Sequence, residues 1–209
     1  MALRLLCFSD LHLDVSAAKR LAGLGLVSNV DFLVSSGDLA LDGRHDPALY
    51  RAFDWAARPV LAVPGNHDGD EPYRSVIQQA SWMDLDGSIH VHEEWALAGW
   101  GIRYLDPGWS GPDAHAQEDD SLLGLILQRL ESHPPERVVL VTHLPPFGTL
   151  ASRDAKLVER GNVQLRRWID QFQPAAVLCG HVHHREAVVE QLGRTVIVNA
   201  GPHGHVLAL

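Results

Sequence analysis

The sequence predicts an α/β domain with mixed β-sheets, on three observations. Apolar runs of five or six residues, LRLLCF, DFLVS, PVLAV, RVVLVT and AAVLC, have the continuity of strands covered on both faces. Segments with helical spacing alternate with these runs in the first third of the chain. Short segments separated by turn residues in the middle and at the end suggest antiparallel hairpins.

In chain order, Leu3–Phe8 is a buried strand and Ala17–Leu26 a helix. Asp31–Ser35 is the second strand, followed by Gly37-Asp38. Pro47–Ala57 reads as a helix, with Asp46 as N-cap and proline at the first helical position, where its missing N–H costs nothing. Pro59–Val63 is the third strand and Pro72–Trp82 the next helix. Ser88–Glu93, Ala96–Ala98 and Ile102–Leu105 suggest a meander, with His90 and His92 on the solvent face. Asp106–Gln117 is a loop dense in Gly, Pro, Asp and His, in which Trp109 could stack on a base or anchor its own loop. Ser121–Leu130 is a helix, and Arg137–Thr142 is a strand that delivers His143 at its carboxyl end. Val163–Phe172 is a helix stopped by Pro174, with Arg166 and Arg167 on a solvated face. Ala175–Cys179 leads into Gly180-His181, and Val188–Gln191, Thr195–Val198 and Val206–Leu209 close the chain as short strands.

At 209 residues the chain fits one domain, 1–209, that can bury its own core without disulfides. Cys7 and Cys179 fall inside predicted strands and read as buried free thiols, which fits a reducing cytoplasm. The opening apolar run is too short for a signal segment, and no 18-residue apolar stretch occurs, so no membrane span is expected. A formal charge of −9 argues against nucleic acid or an anionic membrane as partner. Short strands near the end could pair across a homodimer. Thirteen histidines are unusual, and metal binding would account for several. His45 and His133 read as surface residues, whereas His115, His184, His203 and His205 could reach a site rim.

Asp10-Leu-His12, Gly37-Asp38, Gly65-Asn66-His67-Asp68, His143 and Gly180-His181-Val-His183 each follow a strand-like run. Carboxyl ends of parallel strands are where α/β proteins gather functional groups. Carboxylate, amide and imidazole donors in these numbers suit two transition-metal ions, from Mn, Fe, Zn, Co or Ni, better than Ca or hydrated Mg. Two such ions about 3.5–4 Å apart clamp a phosphoryl group and acidify a bridging water.

In order and spacing these motifs resemble the calcineurin-like metallophosphoesterase family, over residues 10 to 183. The resemblance implies a four-layer α/β/β/α sandwich, with two mixed β-sheets flanked by helices and a dinuclear site at strand carboxyl ends. It implies that Asp10, His12 and His183 hold one metal, that Asn66, His143 and His181 hold the other, and that Asp38 bridges. His67 would assist the leaving group, with Asp68 orienting it. Purple acid phosphatases carry a tyrosine where Leu41 stands, and Gly37-Asp38-Leu-Ala-Leu-Asp42-Gly43 lacks the arginine of the serine/threonine phosphatase motif GDxVDRG. The loop His143-Leu-Pro-Pro-Phe147-Gly and the small size look like the compact bacterial phosphodiesterases without a cap domain. The implied function is hydrolysis of small phosphodiesters, cyclic nucleotides included, by a metal-bridging hydroxide. The alternatives are a broad phosphomonoesterase and a non-catalytic scaffold.

Overall fold

The computed structural model describes residues 2–102 and 120–209. Two mixed β-sheets lie face to face between two layers of helices. The first sheet runs in the order β11 (His205–Ala208), β1 (Arg4–Phe8), β2 (Phe32–Ser35), β3 (Val60–Ala62) and β4 (Met83–Asp84). Its strands β1 to β4 are mutually parallel, and β11 pairs antiparallel with β1. The second sheet runs β5 (Ile89–His92), β6 (Trp95–Trp100), β7 (Val138–Thr142), β8 (Ala176–Cys179), β10 (Thr195–Asn199) and β9 (Val188–Leu192). Strands β6, β7, β8 and β10 are parallel in that order, and the hairpin partners β5 and β9 close the edges antiparallel.

The continuous apolar runs are explained by this layering. β1, β2, β3, β7 and β8 bury one face between the sheets, where Leu5, Val34, Leu61, Val139 and Leu178 pack, and the other under helices. Helices α1 (Val15–Val27), α2 (Pro47–Ala52) and α3 (Asp70–Gln79) cover the first sheet. Helices α4 (Asp120–Leu130) and α5 (Val163–Phe172) cover the second. Asp14 and Asn162 cap α1 and α5 by accepting the N–H of Ala17 at 2.9 Å and of Leu165 at 2.7 Å. Asp46 caps α2 with Pro47 in its first turn, as the sequence predicts. The helix expected over 47–57 is shorter, however. It tightens into a 3₁₀ turn at Phe53–Ala56, which ends on Ala57 in the left-handed conformation.

Cys7 and Cys179 are buried free thiols in β1 and β8, as expected. Among the described residues no helix is long and apolar enough to cross a membrane.

Three expectations are corrected. The middle segment is not a simple meander, because β5 and β6 form a hairpin but β6 then pairs parallel with β7. Residues 103–105, Trp109 and His115 lie outside the described residues. His90 and His92 do not face solvent: both rings stand edge-on to Phe32 of the opposite sheet, at 5.5 and 4.9 Å, while Val91 on the other face is exposed. His45 is not a surface residue either. It is partly buried, with Nδ1 against the Tyr50 hydroxyl and Nε2 2.8 Å from the carbonyl of Asp68.

Candidate metal centre

The carboxyl ends of β1, β2 and β3 in one sheet and of β7 and β8 in the other meet at one edge of the sandwich. Backbone bonds stitch these ends together: Asp10 N–H donates to the Gly37 carbonyl at 2.9 Å, Val63 to Ser35 at 3.2 Å, and Gly180 to His143 at 3.0 Å. The chain must turn sharply after each strand to present a side chain there. Asp10, His12, Asp38 and His181 all take positive φ, of 56°, 43°, 56° and 71°. Such residues cost about 1 kcal/mol or more each and cluster where surrounding structure holds them for function. Two glycines make the approach possible. A Cβ on Gly65 would collide with the Asp38 carboxylate, and one on Gly180 would lie 2.7 Å from Asp10 Oδ2.

All seven residues that the sequence singles out as ligands converge here. Asp10, His12 and His183 form one set. His183 Nε2 lies 3.5 Å from Asp10 Oδ1 and 3.1 Å from His12 Nε2. Asn66, His143 and His181 form the other: Asn66 Oδ1 faces His143 Nε2 at 3.1 Å and His181 Nδ1 at 3.0 Å. Asp38 lies between them, its Oδ2 3.3 Å from His143 Nε2 and 3.9 Å from His12 Nε2. Ligand atoms about 2.0–2.1 Å from one ion and adjacent around it stand roughly 3 Å apart, which is the spacing seen within both sets. The outward nitrogens are engaged as well. His143 Nδ1 is 2.8 Å from the Ser36 carbonyl and His12 Nδ1 3.3 Å from that of Ala40. These partners fix each Nδ1 as the protonated nitrogen and leave each Nε2 lone pair facing the cluster.

The electrostatics ask for positive charge. Asp38 and Asp10 are 1% and 5% exposed, and His143 is fully buried. Burial alone would favour the neutral acids, but His143 and the backbone N–H of His67 outweigh it and hold Asp38 below the usual carboxylate range. Burial opposes charge on His143 too, yet the adjacent Asp38 carboxylate raises its pKa to about 9. A hydrogen bond with Asp10 raises that of His183. With protons alone, these imidazoles supply the charge that the two buried carboxylates require. Divalent cations would supply it without the protons.

His67 stands beside this cluster. Its ring meets that of His12 edge-on at 5.1 Å, and its backbone N–H donates to Asp38 Oδ1 at 2.8 Å. Asp68 is not its partner, which corrects the sequence-based expectation. The Asp68 carboxylate is wholly buried and accepts four backbone N–H groups, those of Gly65 (2.7 Å), Asp38 (2.8 Å), Leu39 (2.9 Å) and Ala40 (2.8 Å). It staples the Asp38 turn to the Asn66 turn. The His67 ring instead faces Asp42, with Nδ1 3.2 Å from Oδ1. In the sequence Asp42 marks only a place where a phosphatase signature fails, although Asp42-Gly43 is a turn dipeptide that suits the φ of 51° found there. His184, His203 and His205 are not in the cluster, and His203 pairs with Glu186 at 3.8 Å instead.

The family model described as calcineurin-like phosphoesterase matches residues 3–185. The chain is 24% identical over 186 residues to a probable glycerophosphodiester phosphodiesterase of Arcobacter nitrofigilis, covering 86% of this chain and 65% of that protein. It is 27% identical over 165 residues to a cAMP/cGMP dual specificity phosphodiesterase of Mycobacterium tuberculosis, covering 74% of this chain and 49% of that protein. The chain thus spans half to two thirds of the length of these relatives. Among solved structures it is similar to the protein TT1561 of Thermus thermophilus, with a TM-score of 0.72 at 17% identity over 100% of this chain and 99% of that one. A dimetal phosphatase from Danio rerio matches with a TM-score of 0.65 at 13% identity, over 98% and 90% of the two chains.

Proposed function

The chain belongs to the calcineurin-like phosphoesterase family, and from that membership we propose that it is a metal-dependent phosphodiesterase acting on small phosphodiesters, with cyclic nucleotides among the candidates. The observation that carries the reading is Asp38, whose one carboxylate lies within 3.9 Å of imidazoles from both ligand sets. In this reading Asp10, His12 and His183 hold one divalent transition ion, Asn66, His143 and His181 hold a second, and Asp38 serves both. The mixed oxygen and nitrogen donors suit manganese, iron, zinc, cobalt or nickel. Such a pair, when bound, supplies Lewis acidity toward phosphoryl oxygens and a water acidified toward neutrality.

The chain's own residues do the rest. Ser36 and Ala40, through their carbonyls, hold His143 and His12 in the tautomer that directs Nε2 inward. Asp68 keeps the Asp38 and Asn66 turns in register through its four N–H bonds. His67 carries the proton for the departing alcohol on Nε2, while its Nδ1 faces Asp42 at 3.2 Å. The products are an alcohol and a phosphomonoester, which remain one molecule when the diester is cyclic. The phosphodiesterase names of two relatives incline the reading to diesters. Two buried free thiols support a cytoplasmic setting.

The test compares bis(p-nitrophenyl) phosphate with p-nitrophenyl phosphate on Mn2+-loaded protein. Diester hydrolysis that exceeds monoester hydrolysis about tenfold, and is lost in Asp38→Ala, is expected. Monoester preference would make the chain a phosphomonoesterase, and no turnover of either ester would leave the scaffold reading.

A further inference from the structure

The loop between β7 and α5 forms a wall beside the metal centre. A pocket of about 380 Å3 opens between Asp154, Lys156 and Arg160 of this loop and His181, His183 and His184 at the end of β8. That volume is of the size that holds a small organic group. Because His181 and His183 belong to the candidate ligand sets, any group in the pocket adjoins a phosphoryl group held at the centre.

The loop is built to present its charges. Asp154 Oδ1 accepts the N–H groups of Lys156 at 2.8 Å and Val158 at 2.9 Å, folding the segment into a tight turn with Leu157 at φ 62°. Its Oδ2 takes the Arg160 guanidinium from Nε at 3.2 Å and Nη2 at 3.0 Å. Arg185 Nε donates to the Arg153 carbonyl at 2.8 Å, tying the turn to the His183–Arg185 segment. The Asp154 carboxylate is therefore fully engaged and offsets Arg160. The Lys156 ammonium has no carboxylate partner among the described residues. Of the five basic side chains in residues 147–167, Arg153, Arg160 and Arg166 face Glu159, Asp154 and Asp170.

We propose that this pocket is a subsite for an anionic group on the ester arm of the substrate, with Lys156 as the charge that selects it. The proposal rests on the phosphodiesterase reading of the metal centre and narrows its substrates to diesters bearing a second negative charge. The chain as a whole repels such a substrate, so the preference has to arise locally.

Two chromogenic diesters with one leaving group test it on the Mn2+-loaded protein: p-nitrophenyl 2-carboxyethyl phosphate and p-nitrophenyl butyl phosphate. The wild type should show a KM about fivefold lower for the carboxylate ester, the upper range for an exposed ion pair. The preference should shrink between about 20 mM and about 300 mM salt. Lys156→Met should bring the KM ratio near one, Lys156→Arg should restore it, and Lys19→Met, an exposed charge on α1, should leave it as in the wild type. Equal KM values in the wild type, or a preference that survives Lys156→Met, would overturn the proposal. Calorimetric binding of the same two esters separates the two readings. If neither ester is hydrolysed, the phosphodiesterase reading fails. In that case, tighter carboxylate-ester binding by the wild type than by Lys156→Met still supports the subsite, and equal binding overturns it.

Discussion

Asp68→Asn separates two roles that the motif Gly65-Asn66-His67-Asp68 leaves undivided. The Asp68 carboxylate is fully buried, and its oxygens divide four backbone N–H groups between them: Leu39 and Ala40 on Oδ1, Asp38 and Gly65 on Oδ2. An asparagine of the same shape must turn its NH2 toward one pair in either rotamer, setting donor against donor. Two hydrogen bonds to a charged acceptor are lost, each worth about 1.5–3 kcal/mol. Part of this is returned, because burial and the neighbouring Asp38 carboxylate push the Asp68 pKa up and the amide carries no charge. A net loss of about 3 kcal/mol follows, which for a chain of this size lowers Tm by about 6–12 °C. Urea unfolding and calorimetry of the chelated protein measure the loss without catalysis. A Tm within about 2 °C of wild type, together with a loss confined to kcat, would refute the reasoning and return Asp68 to the role of orienting His67.

Three further outcomes are expected. Asp42→Asn should lower kcat about three- to tenfold on a diester with an alkyl leaving group but leave bis(p-nitrophenyl) phosphate nearly unaffected, because p-nitrophenolate needs no proton; an equal loss on both would place Asp42 outside proton transfer. Asp84→Asn should stabilise the chain at pH 7. Burial raises the Asp84 pKa against the opposing hydrogen bond from the Asp86 N–H, so the folded chain resists ionisation that the unfolded chain accepts above about pH 3.9. The gain should shrink as pH falls toward 4, and a gain that grows on acidification would contradict the sign. Chelation of the reconstituted protein should lower Tm, since ligand at about 100-fold over Kd adds about 2.7 kcal/mol per site; an unchanged Tm would mean that the cluster does not take up metal in its folded form.

The parts of this molecule that the sequence makes legible are those where one physical constraint dominates. Strands buried on both faces must be apolar throughout, so LRLLCF and RVVLVT announce themselves, and the polar residues that follow them stand out. The seven candidate ligand positions are legible for this reason, helped by their order along the chain. What escapes a linear reading depends on direction. Alternation at Ile89–His92 shows that the strand has two faces, but not that the histidine face lies against Phe32 of the other sheet. The sequence places Asp68 next to His67, yet side chains of neighbouring residues diverge, and the partner that meets His67 comes from Asp42, 25 residues away. His45 reads as an exposed polar residue because nothing local marks its bonds to Tyr50 and to the Asp68 carbonyl. The loop around Asp154 carries no apolar period, and its shape comes from side-chain bonds to its own backbone.

The most direct test of the two-set reading is electron paramagnetic resonance of the chain titrated with Mn2+. If Asp38 serves two ions held by Asp10, His12 and His183 and by Asn66, His143 and His181, an exchange-coupled signal should grow to its maximum at about two equivalents and vanish in Asp38→Ala. A spectrum of isolated ions at every ratio, or coupling that persists without Asp38, would contradict the shared carboxylate on which the account depends.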